Sequence, residues 1–257
     1  MKRFSLFLFV LSVFFQACTD PEGVDPEPPQ RVRMVLKEAG FDTLETERGI
    51  DAEPNPLGGP NFIQLMWYRH PEEARLNYFK IYRSENPLGL VNYNLIATTE
   101  NQQNKLDTLF LDTQELVLNV RYYYYVTAVN EKGTESLPSD TVYYTLIEKA
   151  TQLSLNNNIS VISRDPLNFE WWIDSGQNPD TYILRIERNV SQTFNPLAYV
   201  TVIRSRYQNP EMFAMSGNWL KNLLPNGDYR WRIDCVGEDL FSGSESDWMY
   251  FKINWSN

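Results

Sequence analysis

Three observations predict an all-β chain built of two tandem sandwiches. From residue 31 onward apolar residues recur at every second position. The apolar runs are short and bounded by Pro, Gly and Asn, and the pattern of the first half returns in the second. The expected organisation is a leader over 1–17, a tether over 18–30, a first sandwich over 31–148 and a second over 149–257. The 257 residues are 42% hydrophobic and 14% aromatic, too rich in apolar side chains for a wholly disordered chain. A formal net charge of −10 argues against nucleic acid as a partner, since phosphate binding needs basic patches.

The leader begins with Lys2 and Arg3, followed by the nearly unbroken apolar run Phe4–Phe15. That run falls well short of the roughly 20 residues a spanning helix needs, and it fits the apolar region of a secretory signal. It ends in Phe15-Gln16-Ala17-Cys18. A small residue directly before a cysteine resembles the lipobox of bacterial lipoproteins. The resemblance implies cleavage before Cys18 and lipidation (palmitate among the acyl groups) on that cysteine. The following stretch, Thr19 to Gln30, holds four acids and four prolines with no basic residue, too little apolar surface to fold. Asp20 and Glu22 resemble the acidic export signal of Bacteroidetes-type lipoproteins. That implies attachment to the outer membrane, with the cell surface favoured over the periplasmic face.

In the first half, Ile63, Leu65 and Trp67 alternate with Gln64 and Met66, and Phe79 and Ile81 with Lys80 and Tyr82. Leu95 and Ala97 follow a turn at Glu85-Asn86-Pro87, and Tyr122 to Val129 runs into the turn Asn130-Glu131-Lys132-Gly133. Val32–Ala39 is the one ambiguous stretch, readable as helix or strand. Trp67 placed in a second strand, and Leu116 six residues before Tyr122, resemble the core tryptophan and the tyrosine corner of fibronectin type III domains. Leu118 and Asn119 depart from that family's Pro-Gly. Gly49 to Pro54 resembles its first-strand region.

The second half repeats the pattern. Leu167-Phe169-Trp171 answers Ile63-Leu65-Trp67, Tyr182-Leu184-Ile186 follows as the next strand, and Leu223, Pro225 and Tyr229 keep the corner in register. Trp67, Tyr122, Trp171 and Tyr229 are therefore expected to mark the two cores. The join at Glu148-Lys149-Ala150 is short, so limited hinge motion between the sandwiches is expected.

Catalytic chemistry finds little footing. His70 is the only histidine, expected as a solvated loop residue before Pro71, and Cys235 is expected to face a core. Glu72-Glu73, Asp228, Glu238-Asp239 and Glu245-Asp247 are read as solvated loop charge. No metal set and no cofactor motif is present in the sequence. Surplus aromatics are the stronger lead. Alternation turns Trp172, Tyr123 and Tyr125 away from the cores, and the long segment Ile203–Asn222 adds Tyr207, Phe213 and Trp219 beside Arg204 and Arg206. Those six aromatic residues are the candidate binding set, with one alternative kept open for Ile203–Asn222: the segment folds back and buries its rings as extra core. The resulting expectation is a non-enzymatic, lipid-anchored envelope protein that binds another envelope protein, such as an outer-membrane assembly to which it is accessory. Two alternatives stand beside it: capture of a glycan at the cell surface, and a carboxylate hydrolase or its ancillary module.

Overall fold

The computed structural model describes residues 27–41, 52–53, 61–86, 88, 92–99, 101–102, 105–155, 161–162, 166–192 and 194–255. The leader, Cys18, most of the tether, Gly49–Asp51 and Pro54 lie outside these residues. Strands make up nearly all of the regular structure in the described chain. In chain order the strands are β1 (Ala52–Glu53), β2 (Phe62–Met66), β3 (Leu76–Ser84), β4 (Asn94–Thr98), β5 (Asn101–Gln102), β6 (Lys105–Leu106), β7 (Leu109–Asp112), β8 (Arg121–Asn130) and β9 (Val142–Leu146). The second half continues with β10 (Thr151–Ser154), β11 (Val161–Ile162), β12 (Leu167–Trp172), β13 (Thr181–Arg188), β14 (Leu197–Arg204), β15 (Glu211–Met215), β16 (Gly227–Val236), β17 (Ser242–Glu245) and β18 (Met249–Ile253). The helical elements are short: 3₁₀ turns at Ala39–Phe41 and Glu73–Arg75, and one α-helical turn, α1, at Leu220–Leu223.

Each half sets a three-stranded sheet against a larger one. The small sheets are β1-β2-β7 and β10-β12-β15; the larger ones are β4-β3-β8-β9 and β14-β13-β16, the last flanked by β17 and β18 in succession. Alternation decides what is buried. β2 hides Ile63 and Leu65, and β8 turns Tyr122, Tyr124, Val126 and Ala128 into a first cluster with Trp67 and Phe79. β12 and β16 do the same with Phe169, Trp171, Tyr229, Trp231 and Ile233 in a second cluster. With no disulfide among the described residues, these rings fill the space between sheets. Trp67 sits edge-on to Phe79 at 5.4 Å and Trp171 edge-on to Tyr182 at 5.1 Å.

Both corners close through their tyrosine. The Val117 N–H donates to the Tyr122 hydroxyl at 2.9 Å, and the Tyr229 hydroxyl donates to the Pro225 carbonyl at 2.7 Å. Asn119 takes a positive φ of 63°, the conformation that asparagine tolerates better than most, so the corner survives without Pro-Gly. Strand order, corner and tryptophan together define fibronectin type III-like sandwiches.

Two open readings close and one expectation changes. Val32–Ala39 is extended, bridging Met34 to Trp67 and giving the Val35 N–H to the Met66 carbonyl at 2.9 Å; only its last residue enters a 3₁₀ turn. Ile203–Asn222 supplies β15, the third strand of the second small sheet, followed by α1. The join is more than a short linker: β17 of the second half pairs in parallel with β9 of the first, making one ten-stranded sheet across both. Thr145 N–H donates to the Phe241 carbonyl at 2.9 Å, the Ala39 N–H to the Leu240 carbonyl at 3.0 Å, and Phe241 packs onto the first cluster. Hinge bending at residues 148–150 would break these bonds, so the expected hinge gives way to a fixed junction.

Candidate interaction surface

The outer face of the first large sheet is built from tyrosine. Tyr122 and Tyr124 point inward, so Tyr123 and Tyr125 must point out, and β3, β9 and the segment before β4 add Tyr82, Tyr143 and Tyr93. Tyr125 stacks on Tyr82 at 4.6 Å with ring planes 20° apart, and Tyr93 tilts over it at 4.8 Å. These neighbours leave Tyr125 only 6% exposed, and burial pushes its hydroxyl up to about 12. Tyr125 is thus corrected from a contact residue to the base of an outer cluster; the sequence could not show that Tyr93 folds over it.

Below this stack lies an ionic knot. The Glu135 carboxylate accepts from Lys80 Nζ at 2.5 Å, Thr127 Oγ1 at 2.6 Å and the Tyr82 hydroxyl at 3.0 Å. Burial alone would raise the Glu135 pKa, but the hydrogen bonds from Lys80, Thr127 and Tyr82 outweigh it and hold it below the usual range. A carboxylate depressed on folding adds stability above its unfolded pKa of about 4.3, and loses it as pH falls through the folded value. Wild type is therefore expected to exceed Glu135→Gln in stability at pH 7, with the gap closing near pH 3. Urea melts at both values check this, and a gap independent of pH would refute it.

Towards the junction the face stays aromatic and becomes more open. Tyr123 lies 5.7 Å from Tyr143, which meets Phe241 edge-on at 5.1 Å. The Arg121 guanidinium sits 4.7 Å over the Tyr143 ring and pairs with Asp239 at 2.6 Å. Tyr82, Tyr123 and Tyr143 are half-buried and Arg121 is exposed. This combination of rigid aromatic area with an arginine suits macromolecular contact.

The other predicted aromatics do not gather with it. Trp172 is half-buried on the far side, at the end of β12. Phe213 faces Phe169 across β12 and β15 and packs against the second core, so it is corrected to a core-edge residue. Tyr207 is exposed and donates its hydroxyl to Asp180. Trp219 is half exposed and folds back over Gly217 (φ +114°), where a Cβ would lie only 3.0 Å from the indole nitrogen. The core markers Trp67, Tyr122, Trp171 and Tyr229 are all buried.

On the second half, the same outer face carries charge. Arg185 Nε lies 2.8 Å from the Glu187 carboxylate, which also holds Arg230 at 2.5 Å; Arg232 pairs with Asp234 at 2.8 Å and Glu245 at 2.7 Å. Trp248 covers Arg230 at 3.9 Å and Arg232 at 4.8 Å. Sequence reading missed this ladder. Its signal was Arg185, Glu187, Arg230, Arg232 and Asp234 alternating with core residues, a pattern that looks the same as a solvated face.

The carboxylates read as loop charge are mostly bound. Glu72 pairs with Arg75, Glu73 with Arg69, Asp228 with Lys252, Asp239 with Arg121, Glu245 with Arg232 and Asp247 with Lys149. A cleft of about 620 Å³ between the halves is lined by Glu148, Asp180, Glu238 and Asp239, among others. Glu148 accepts from Ser175, Asp180 from Tyr207 and Asp239 from Arg121, which occupies them as fasteners of the loops. No group of three or more His, Cys, Asp or Glu that could hold a metal occurs among the described residues.

His70 is corrected from solvated to buried, 5% exposed. Its Nδ1 accepts the Glu72 N–H at 3.1 Å and its Nε2 faces the Gln30 carbonyl at 2.9 Å, so a proton on Nε2 ties the segment at Gln30 to the turn after β2. Cys235 is buried in the second core, and desolvation raises its thiol to about 12. Folded protein is therefore expected to resist iodoacetamide at Cys235 at pH 8 and react only on unfolding; mass spectrometry of labelled peptides reads this directly.

The described strands form an all-β tandem with an aromatic outer face on its first half. No family model matches the chain, and no curated protein does. Among solved structures it is similar to the FN1–FN3 domains of chicken CNTN1, at 13% identity over 88% of this chain and 68% of that one, with a TM-score of 0.35. It is also similar to a family 28 exopolygalacturonase of Yersinia enterocolitica, at 12% identity over 46% of this chain and 20% of that one, with a TM-score of 0.29. Both likenesses are loose in sequence and in geometry.

Proposed function

We propose that the chain is a lipid-anchored protein of the bacterial outer membrane that binds another envelope protein through the tyrosine face of its first sandwich. The observation that carries the binding part is the open end of that face: Tyr123 and Tyr143 beside the exposed Arg121, held rigid by the ten-stranded sheet. Anchoring rests on the sequence alone, on the short apolar run ending in Ala17-Cys18 and the acidic, Pro-rich stretch behind it. Several acyl chains on one cysteine would hold the protein where a single chain would not. As an accessory subunit of a larger assembly, it would contribute contact surface and no chemistry.

Two experiments separate the parts of this reading. Cys18→Ser is expected to move the protein out of the membrane fraction and abolish labelling by fatty-acid analogues; unchanged labelling removes the anchor. Cross-linking on intact cells followed by mass spectrometry is expected to recover one envelope protein, with links near residues 121–145. A Tyr123→Ala, Tyr143→Ala double variant is expected to lose that partner while its melting curve shows a folded protein. Undiminished recovery would place the contact elsewhere.

A further inference from the structure

We propose that β14 is a self-pairing edge, through which two copies of this chain join their sheets in an antiparallel, two-fold arrangement centred on Thr201. β14 is the outermost strand of the second large sheet and pairs only with β13. Among the described residues, no hydrogen bond outside that ladder reaches the backbone of Leu197–Arg204. Half of its N–H and C=O groups therefore face away from the sheet. Eight residues is long for an open edge, and the sequence Leu-Ala-Tyr-Val-Thr-Val-Ile-Arg lacks the lysines, prolines and acids with which edges are usually blunted. Core cover is also incomplete there. Tyr199 and Ile203 lie opposite Ile186 and Tyr182 on the inner face, yet both stay half-buried, and Val202 on the outer face is 57% exposed.

The strand's own sequence selects a second copy as the occupant. A two-fold axis perpendicular to a sheet keeps each face on its own side. Directly opposed residues share a face, so the axis must fall on a residue and not between two. Centred on Thr201, the inner face pairs Tyr199 with Ile203 of the other copy, Thr201 with Thr201, and Ile203 with Tyr199. The outer face pairs Val200 with Val202. Aromatic against β-branched and Thr against Thr are favoured cross-strand pairs. Arg204, the only charge in the strand, falls at the level of Ala198, where the β13–β14 register shifts and the regular pairing ends, so no like charges meet. Each copy carries a formal −10, hence association should strengthen as salt rises. This pairing uses neither the tyrosine face nor the anchor and stands apart from the proposed partner.

The test uses the full chain in a Cys18→Ser background. Sedimentation equilibrium is expected to show a concentration-dependent dimer. Thr201→Lys, which sets like charges directly opposite each other, should weaken it about tenfold or more while leaving the melting curve of a folded monomer. Under mild oxidation, Thr201→Cys should form a disulfide-linked dimer much faster than Val190→Cys, a collision control on the exposed loop before β14. A monomer at every concentration, a dimer indifferent to Thr201→Lys, or equal cross-linking at the two positions would each overturn the proposal. The first of these results would also leave the edge to a different protein.

Discussion

Glu187→Ala is expected to destabilise the protein by about 3–5 kcal/mol, as much as the loss of a core tryptophan, although Glu187 lies on the side of the sheet away from the core. Its carboxylate is 3% exposed and holds two guanidinium groups, Arg185 at 2.8 Å and Arg230 at 2.5 Å. Arg185 is itself 2% exposed, so removing the acid leaves a cation in a site with little water. The cost is the desolvation of a buried cation that has lost its Glu187 carboxylate, and a surface ion pair, worth no more than about 1 kcal/mol, would not show it. Urea denaturation of Glu187→Ala and of the double variant Arg185→Met, Glu187→Leu separates the two accounts. The double variant, which removes that cation together with the acid, is expected to recover most of the loss. A single variant within about 0.5 kcal/mol of wild type would mean the ladder is solvated in practice.

Trp171→Ala is expected to cost about 3–5 kcal/mol and to abolish cooperative folding of the second sandwich. The indole is fully buried, edge-on to Tyr182, and no neighbouring ring can follow a missing one across the gap between two sheets. Trp172→Ala is the internal control. It removes the same atoms one residue along, from the half-buried face, and should cost far less. A two-state melt matching wild type for Trp171→Ala, or equal losses for the two variants, would refute the assignment of faces. Trp67→Ala should behave as Trp171→Ala does, since Trp67 packs on Phe79 in the same way.

Period-two alternation let the sequence show which residues of β2, β8, β12 and β16 turn inward. That rule is local: a strand's neighbours in sequence fix its faces. It failed where burial depends on residues far along the chain. Tyr125 points away from the core as alternation requires, yet Tyr82 and Tyr93 bury it, and no pattern within β8 carries that information. Phe213 stayed open between contact surface and extra core because β15 was not recognised as a strand; its five residues lie between a loop and a single helical turn. His70 looked solvated because its partners, Gln30 and Glu72, are brought to it by the path of residues 27–36 and by a tight turn.

By itself, then, the sequence determined the all-β class, the repeat of one sandwich pattern and the four core markers. All of these follow from the two-residue period of a strand and from the volume a sandwich must fill. Tertiary structure decided what the strand edges and outer faces do. It joined β9 to β17, gathered the tyrosines into one face and the charges into a buried ladder, and left β14 open. Pairing between edges and stacking across a face are contacts between distant segments, set by sheet twist and by the path of the loops. Binary patterning leaves both unspecified.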